Sequence, residues 1–221
     1  MAIQPRDFER LMNQARVKLP GASDAGLKGE LFDVIDEFVS DSNTWDEWIT
    51  LPIVSGLQDY SVTPAHGGAI LRMVTIFDQN SIVVPAFITE LYPPGANIHL
   101  VWPQSTHYSA NAVCIKKVVL PNNRDDIPEA PSWLFPIYGR YVLDGLLGKM
   151  MTQPTKSYSN DSQGTYHLRR FRDGISMAKV AKERGNLKGG QAWRFPNQFR
   201  SNSQRGGVST PFPTPSSWGG V

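Results

Sequence analysis

The chain has 221 residues, 40% hydrophobic and 19% charged, enough to bury a core as one elaborated domain or two small ones. Its formal net charge of +2 hides a polarised chain: residues 1–165 carry 12 Lys and Arg against 18 Asp and Glu, and residues 166–221 carry 10 against 2. A single cysteine, Cys114, excludes an internal disulfide. The opening MAIQPRDFERL lacks a basic-then-apolar leader pattern, and no apolar run approaches the ~20 residues that cross a bilayer, so no membrane association is expected.

Two helices are predicted first. Phe8, Leu11, Met12, Ala15 and Leu19 fall on one helical face, and Pro20 and Gly21 end it. Ser23 is a candidate N-cap for the next helix, on which Leu27, Leu31, Ile35 and Phe38 keep the same period. Asp24, Glu30, Asp33, Asp36, Glu37 and Asp41 crowd its other side, which reads as a solvated acidic face. Because the end of the chain is basic, contact between the acidic side of one subunit and the basic end of another is a natural possibility.

From Trp45 the period changes to two. TWDEWITLPIV, DYSVTP, AILRMVTIFD, SIVVPAFITELY, NIHLVWP and NAVCIKKVVL read as six antiparallel strands of a small sandwich or barrel. DQNS, after Phe77, is expected to be a hairpin loop and YPPGAN another turn, with Pro52 and Pro85 at edges or bulges. Cys114 lies in an apolar run and reads as a buried, inert thiol.

Two further helices are predicted after Ser132. On the first, Leu134, Ile137, Tyr138, Tyr141, Val142, Leu146 and Met150 define an apolar face, with Pro136 near its start or at a bend. QPTKSYSN turns the chain at Pro154, and Ser159, Asn160 or Asp161 caps the second helix. Its stripe is His167, Phe171, Gly174, Ile175, Ala178 and Ala181. Gly174 and Ala178 keep that stripe narrow, which predicts a closely packed antiparallel hairpin.

Residues 186–221 contain four prolines, no acidic residue, and Lys188, Arg194, Arg200 and Arg205. Such a composition does not fold on itself. It nevertheless carries Trp193, Phe195, Phe199, Phe212 and Trp218, and aromatic and arginine side chains are the usual anchors of interfaces. Trp193, Arg194, Phe195, Phe199, Arg200, Phe212 and Trp218 are therefore the expected partner-binding residues of an arm that orders against its partner.

Catalytic chemistry finds little support. His66, His99 and His107 lack metal-ligand spacing, so no metal site is expected. No nucleophile-elbow, phosphate-loop or dinucleotide motif occurs, so no catalytic residue and no cofactor is expected. The adjacent acids Asp46 and Glu47, and Asp125 and Asp126, read as turn residues.

The series PSWLFPIY at Pro131–Tyr138, QPTKSYSN at Gln153–Asn160, YHLRRF at Tyr166–Phe171, GISMAK at Gly174–Lys179 and WRFP at Trp193–Pro196 resembles the head-to-tail adaptor (connector) proteins of tailed bacteriophages. The resemblance covers about the C-terminal third by motif, and the rest only in layout. It implies a structural protein at the head-tail junction of the virion, made in the host cytoplasm. It further implies a homo-oligomeric ring, commonly of twelve subunits, whose C-terminal arm docks on the portal protein. The other side of the ring would receive tail or nozzle proteins, and its channel would face packaged DNA.

The sequence thus leads to an α+β expectation: a four-helix body, two helices N-terminal and two C-terminal, with an inserted antiparallel β-domain and an extended C-terminal arm. Residues 1–44 and 129–185 would form the body, 45–128 the β-domain and 186–221 the arm. Two other readings stay open. One is a non-enzymatic nucleic-acid-binding protein, with bases stacking on Trp193, Phe195 and Phe199 of the basic tail. The other is a carbohydrate-binding β-module, suggested by Trp45, Trp48 and Trp102.

Overall fold

Helix α1 (Pro5–Lys18) starts on a proline, whose missing N–H is no loss in a first helical turn. Phe8, Leu11, Met12, Ala15 and Leu19 are all buried, as their spacing predicts. Gly21, at φ +89°, turns the chain into α2 (Asp24–Ser42). Ser23 Oγ caps α2 by accepting from the Gly26 N–H at 3.2 Å, and Asn43 closes it in the left-handed conformation. The computed structural model describes residues 5–121 and 126–184.

Six strands follow: β1 (Asp46–Ile53), β2 (Asp59–Val62), β3 (Ala69–Phe77), β4 (Ala86–Tyr92), β5 (Gly95–Leu100) and β6 (Tyr108–Lys117). They form two three-stranded antiparallel sheets, ordered β1-β6-β3 and β2-β5-β4. Leu51, Ile53, Ile70, Ile76, Ala110, Ala112 and Cys114 from one sheet meet Tyr60, Val62, Ala96, Ile98 and Leu100 from the other in a single apolar cluster. Pro52 lies on an edge strand, where its missing N–H breaks no ladder.

The DQNS loop is a tight turn in which Asp78 Oδ1 accepts from the N–H groups of Asn80 and Ile82, both at 2.8 Å. It is not followed by a full hairpin. Phe77 and Val83 form a lone bridge, and β4 begins only at Ala86, because the chain there leaves the sheet of β3 for that of β5.

Helices α3 (Leu134–Met151) and α4 (Asp161–Glu183) form an antiparallel hairpin. Asn160 is the cap of α4, its Oδ1 accepting from the Gln163 N–H at 3.2 Å. The sequence predicts one apolar face on α3, but every residue from Val142 to Gly148 is buried, because α1, α2 and α4 all pack against it. Ile137, expected on that face, is 63% exposed one turn into the helix. A second apolar cluster unites the four helices, with Phe38 of α2 against Tyr138 at 5.3 Å and Phe171 at 6.1 Å between ring centroids.

The fold of the described residues is therefore α+β, with four helices and two small antiparallel sheets among them. Trp45 and Val118, which bracket β1 and β6, belong to the helical cluster and carry apolar packing from the helices to the sheets. Lys182, near the end of α4, pairs with Asp46 at the start of β1 at 2.5 Å.

Candidate interaction surfaces

The hairpin packs through small residues. A Cβ at Gly145 would lie 2.7 Å from both Phe171 and Val34, and one at Gly148 would lie 2.7 Å from Leu168. Hence α3 touches α2 and α4 almost backbone to side chain. Only Gly174 and Ala178 were legible from their stripe; Gly145 and Gly148 sit in an apolar run whose period does not mark them. Asp144 is buried between the two helices of the hairpin, with His167 Nδ1 2.8 Å from its Oδ1. Arg170 Nη2 lies 3.0 Å from Oδ2 as an ion pair, outside hydrogen-bond geometry. This triad fixes the register of the hairpin with charge inside an apolar contact.

A second polar group sits where β1 and β6 meet the helices. Lys116 is only 1% exposed, and its Nζ donates to Glu47 Oε2 at 3.0 Å and to the carbonyls of His66 and Gly67 at 3.3 and 3.0 Å. The ammonium lies 4.2 Å from the centroid of the Trp45 ring. Glu47 Oε1 meets His66 Nδ1 at 2.5 Å. Burial alone would raise the Glu47 carboxyl, but the hydrogen bonds to His66 and Lys116 outweigh it and hold the group below its ordinary range. Asp46 and Glu47, expected in a turn, are thus strand residues: one pairs with Lys182 and the other anchors the loop before β3.

The three tryptophans of the β-region separate. Trp45 is buried under Lys116 and leaves the carbohydrate-platform set, since its ring is covered. Trp48, by contrast, is 63% exposed on β1 and stacks on Phe77 of β3, with centroids 6.2 Å apart and planes 18° apart. Trp102 is exposed in the segment between β5 and β6. Val74, Phe87 and Leu91 are exposed strand residues as well.

The acidic side of α2 is not uniformly solvated. Asp24 pairs with Arg16 at 2.8 Å, Glu37 with Lys149 at 2.6 Å, and Glu30 accepts from Gln153 at 3.1 Å, so three acids tie α2 to neighbouring segments. Asp33 and Asp41 remain exposed. Cys114 is buried as expected, and burial, helped by the charge of Glu47, pushes its thiol up to about 11.

The expected partner-binding residues Trp193, Arg194, Phe195, Phe199, Arg200, Phe212 and Trp218 lie outside the described residues. So does Asp125. Among the described residues no cluster of three or more His, Cys, Asp or Glu is placed to hold a metal ion, and no helix is long and apolar enough to cross a membrane. Comparison of the chain with models of known protein families gives no match, and comparison with curated proteins gives none.

Proposed function

We propose that this chain is a structural head-to-tail adaptor of a tailed phage virion, without enzymatic activity. In this reading the four helices are a body, the six strands an inserted domain, and residues 186–221 an arm that docks on the portal protein. Copies assemble as a ring and present their other side to tail or nozzle proteins.

The observation that carries the reading is where the adaptor-like motifs fall. PSWLFPIY spans the start of α3, QPTKSYSN the connecting turn, and YHLRRF and GISMAK lie on α4. They contribute the Phe171, Gly174 and Ala178 packing and the His167 and Arg170 contacts to Asp144. WRFP follows α4 by about ten residues along the chain. Four of the five motifs thus fall on the α3–α4 hairpin and its turn, and the fifth lies outside the described residues.

Cross-linking mass spectrometry on purified particles tests the proposal. Cross-links from Lys188 to the portal, together with untailed or DNA-leaking particles from Trp193→Ala and Phe195→Ala, are the expected result. Normal tailed particles from both variants, with no portal cross-link, overturn it.

A second reading has a specific observation in its favour. The exposed Trp48 ring, nearly parallel to the half-buried Phe77 ring, offers the kind of platform on which a sugar ring stacks. Titration of tryptophan fluorescence with oligosaccharides, wild type against Trp48→Ala, checks it.

A further inference from the structure

Where β3 ends and β6 begins, a cleft of about 420 Å³ lies between the turn at residues 78–82 and the segment at 104–108. Asp78, Asn80, Gln104, Thr106, His107 and Tyr108 supply most of its polar lining, and the exposed side chains of Ile82 and Val83 part of its apolar wall. Both walls are held by hydrogen bonds made away from that lining. Asp78 Oδ1 accepts from the N–H groups of Asn80 and Ile82, and the Asp78 N–H donates to the Ile82 carbonyl at 2.9 Å. Opposite, the Gly56 N–H donates to the Gln104 carbonyl at 2.9 Å, Ser55 Oγ to the Ser105 carbonyl at 3.0 Å, and the Ser55 N–H to His107 Nδ1 at 3.4 Å.

These bonds fix the walls and leave polar side-chain atoms of the lining unused. Among the described residues no protein group bonds to Asp78 Oδ2, Gln104 Oε1, Thr106 Oγ1 or the Tyr108 hydroxyl. With Nδ1 accepting, the neutral His107 ring carries its proton on Nε2, a further donor. Burial, and after it the charge of Asp78, raise the Tyr108 phenol, so its hydroxyl stays protonated and able to donate.

We propose that this cleft binds a neutral oligosaccharide. Sugars present hydroxyls, each both donor and acceptor, around apolar C–H faces. The lining answers both, with unpaired donors and acceptors beside aliphatic side chains on walls that are already ordered. Aromatic rings adjoin it. Phe77 immediately precedes Asp78 and stacks with Trp48, while the carbonyl of the exposed Trp102 accepts from Gln104 Nε2 at 3.1 Å. Other occupants fit less well. Neither Lys nor Arg is among the described residues that line the cleft, so a phosphate or a nucleic-acid backbone finds no counter-charge there. One carboxylate and one imidazole fall short of the ligand set that a metal ion needs. The class of ligand rests on the carbohydrate reading; the site itself rests on the cleft.

The test is calorimetric titration of the full chain with maltohexaose, cellohexaose, xylohexaose and chitohexaose, and with the acidic hexagalacturonate, while melting curves confirm that each variant folds. At least one neutral probe should bind with a Kd below about 1 mM, and more tightly than hexagalacturonate. Tyr108→Phe removes a hydroxyl that makes no bond among the described residues, and Asp78→Asn keeps the Oδ1 that holds the turn while replacing Oδ2 by an amide. Each should weaken binding about three- to tenfold, with melting near that of wild type. Binding of no neutral probe overturns the cleft and the carbohydrate reading together, and tighter binding of hexagalacturonate overturns the assignment of a neutral ligand. Binding that Trp48→Ala weakens and both cleft variants leave intact overturns the cleft, and the platform reading stands. Binding that both cleft variants weaken and Trp48→Ala leaves intact supports the cleft, and the platform reading fails.

Discussion

Gly174 of α4 stands against Tyr141 of α3, so close that a Cβ built on the glycine would lie 2.3 Å from the tyrosine Cγ. Alanine is the better helix former by about 1 kcal/mol, yet it has no room here. Gly174→Ala is expected to destabilise by about 1–3 kcal/mol, as overpacking does, and Ala178→Leu by a similar amount. Urea unfolding of both variants checks this. A midpoint unchanged in both would mean that the hairpin opens to accept them.

His167 satisfies one oxygen of the buried Asp144 carboxylate. His167→Phe keeps a ring of similar size and removes the donor, so it is expected to cost about 1–3 kcal/mol, the penalty of a buried acceptor left without its partner. His167→Asn, which keeps a donor, should recover part of the loss in thermal melts.

Lys116 makes one ion pair and two carbonyl hydrogen bonds in a site that water does not reach. Lys116→Met is expected to cost about 3–5 kcal/mol, because Glu47 Oε2 loses its cation and only Oε1 keeps partners, His66 and the Ala65 N–H. Adding Glu47→Leu should return part of that stability, since the charge that needed a partner is then gone.

The same carboxylate makes stability depend on pH. Glu47 is held below its ordinary value of 4.5, so the unfolded chain binds the extra proton there. Its contribution is present above that value and is lost as pH falls below it toward the depressed folded-state value. The acid limb of a stability-against-pH curve should therefore be shallower in Glu47→Gln than in wild type. Identical limbs would show that the group carries no linked stability.

Cys114 is expected to resist alkylation at pH 8 in the native protein and to react on unfolding, because its buried thiol, raised to about 11, is almost wholly protonated there. At alkaline pH the unfolded chain loses this proton first, so stability declines as pH rises through the ordinary thiol range. Mass spectrometry after iodoacetamide treatment, with and without denaturant, reads the difference.

Much of the fold was legible because local periodicity is a property of the chain. The faces of α1 and α2, the cap Ser23, the six strands and the narrow stripe of α4 could all be read from spacing and side-chain chemistry alone, while the cap of α4 was narrowed to Ser159, Asn160 or Asp161 and only the structure picks Asn160. What an element packs against is a property of the whole molecule. The burial of α3 on every side, the exposure of Ile137 and the switch of sheet after Phe77 follow from neighbours far away in sequence.

Charge and aromatic residues divide in the same way. Composition by itself determined that the chain is acidic toward its start, basic toward its end and carries five Trp and Phe residues after residue 186. Only the tertiary structure decided that Trp45 is covered while Trp48 is open, and that Glu47 is the centre of a buried network rather than a turn residue. The reason is physical: a strand residue's side of the sheet is set by register, and a carboxylate's ionisation by partners up to 69 positions away. Neither quantity exists until the chain has folded.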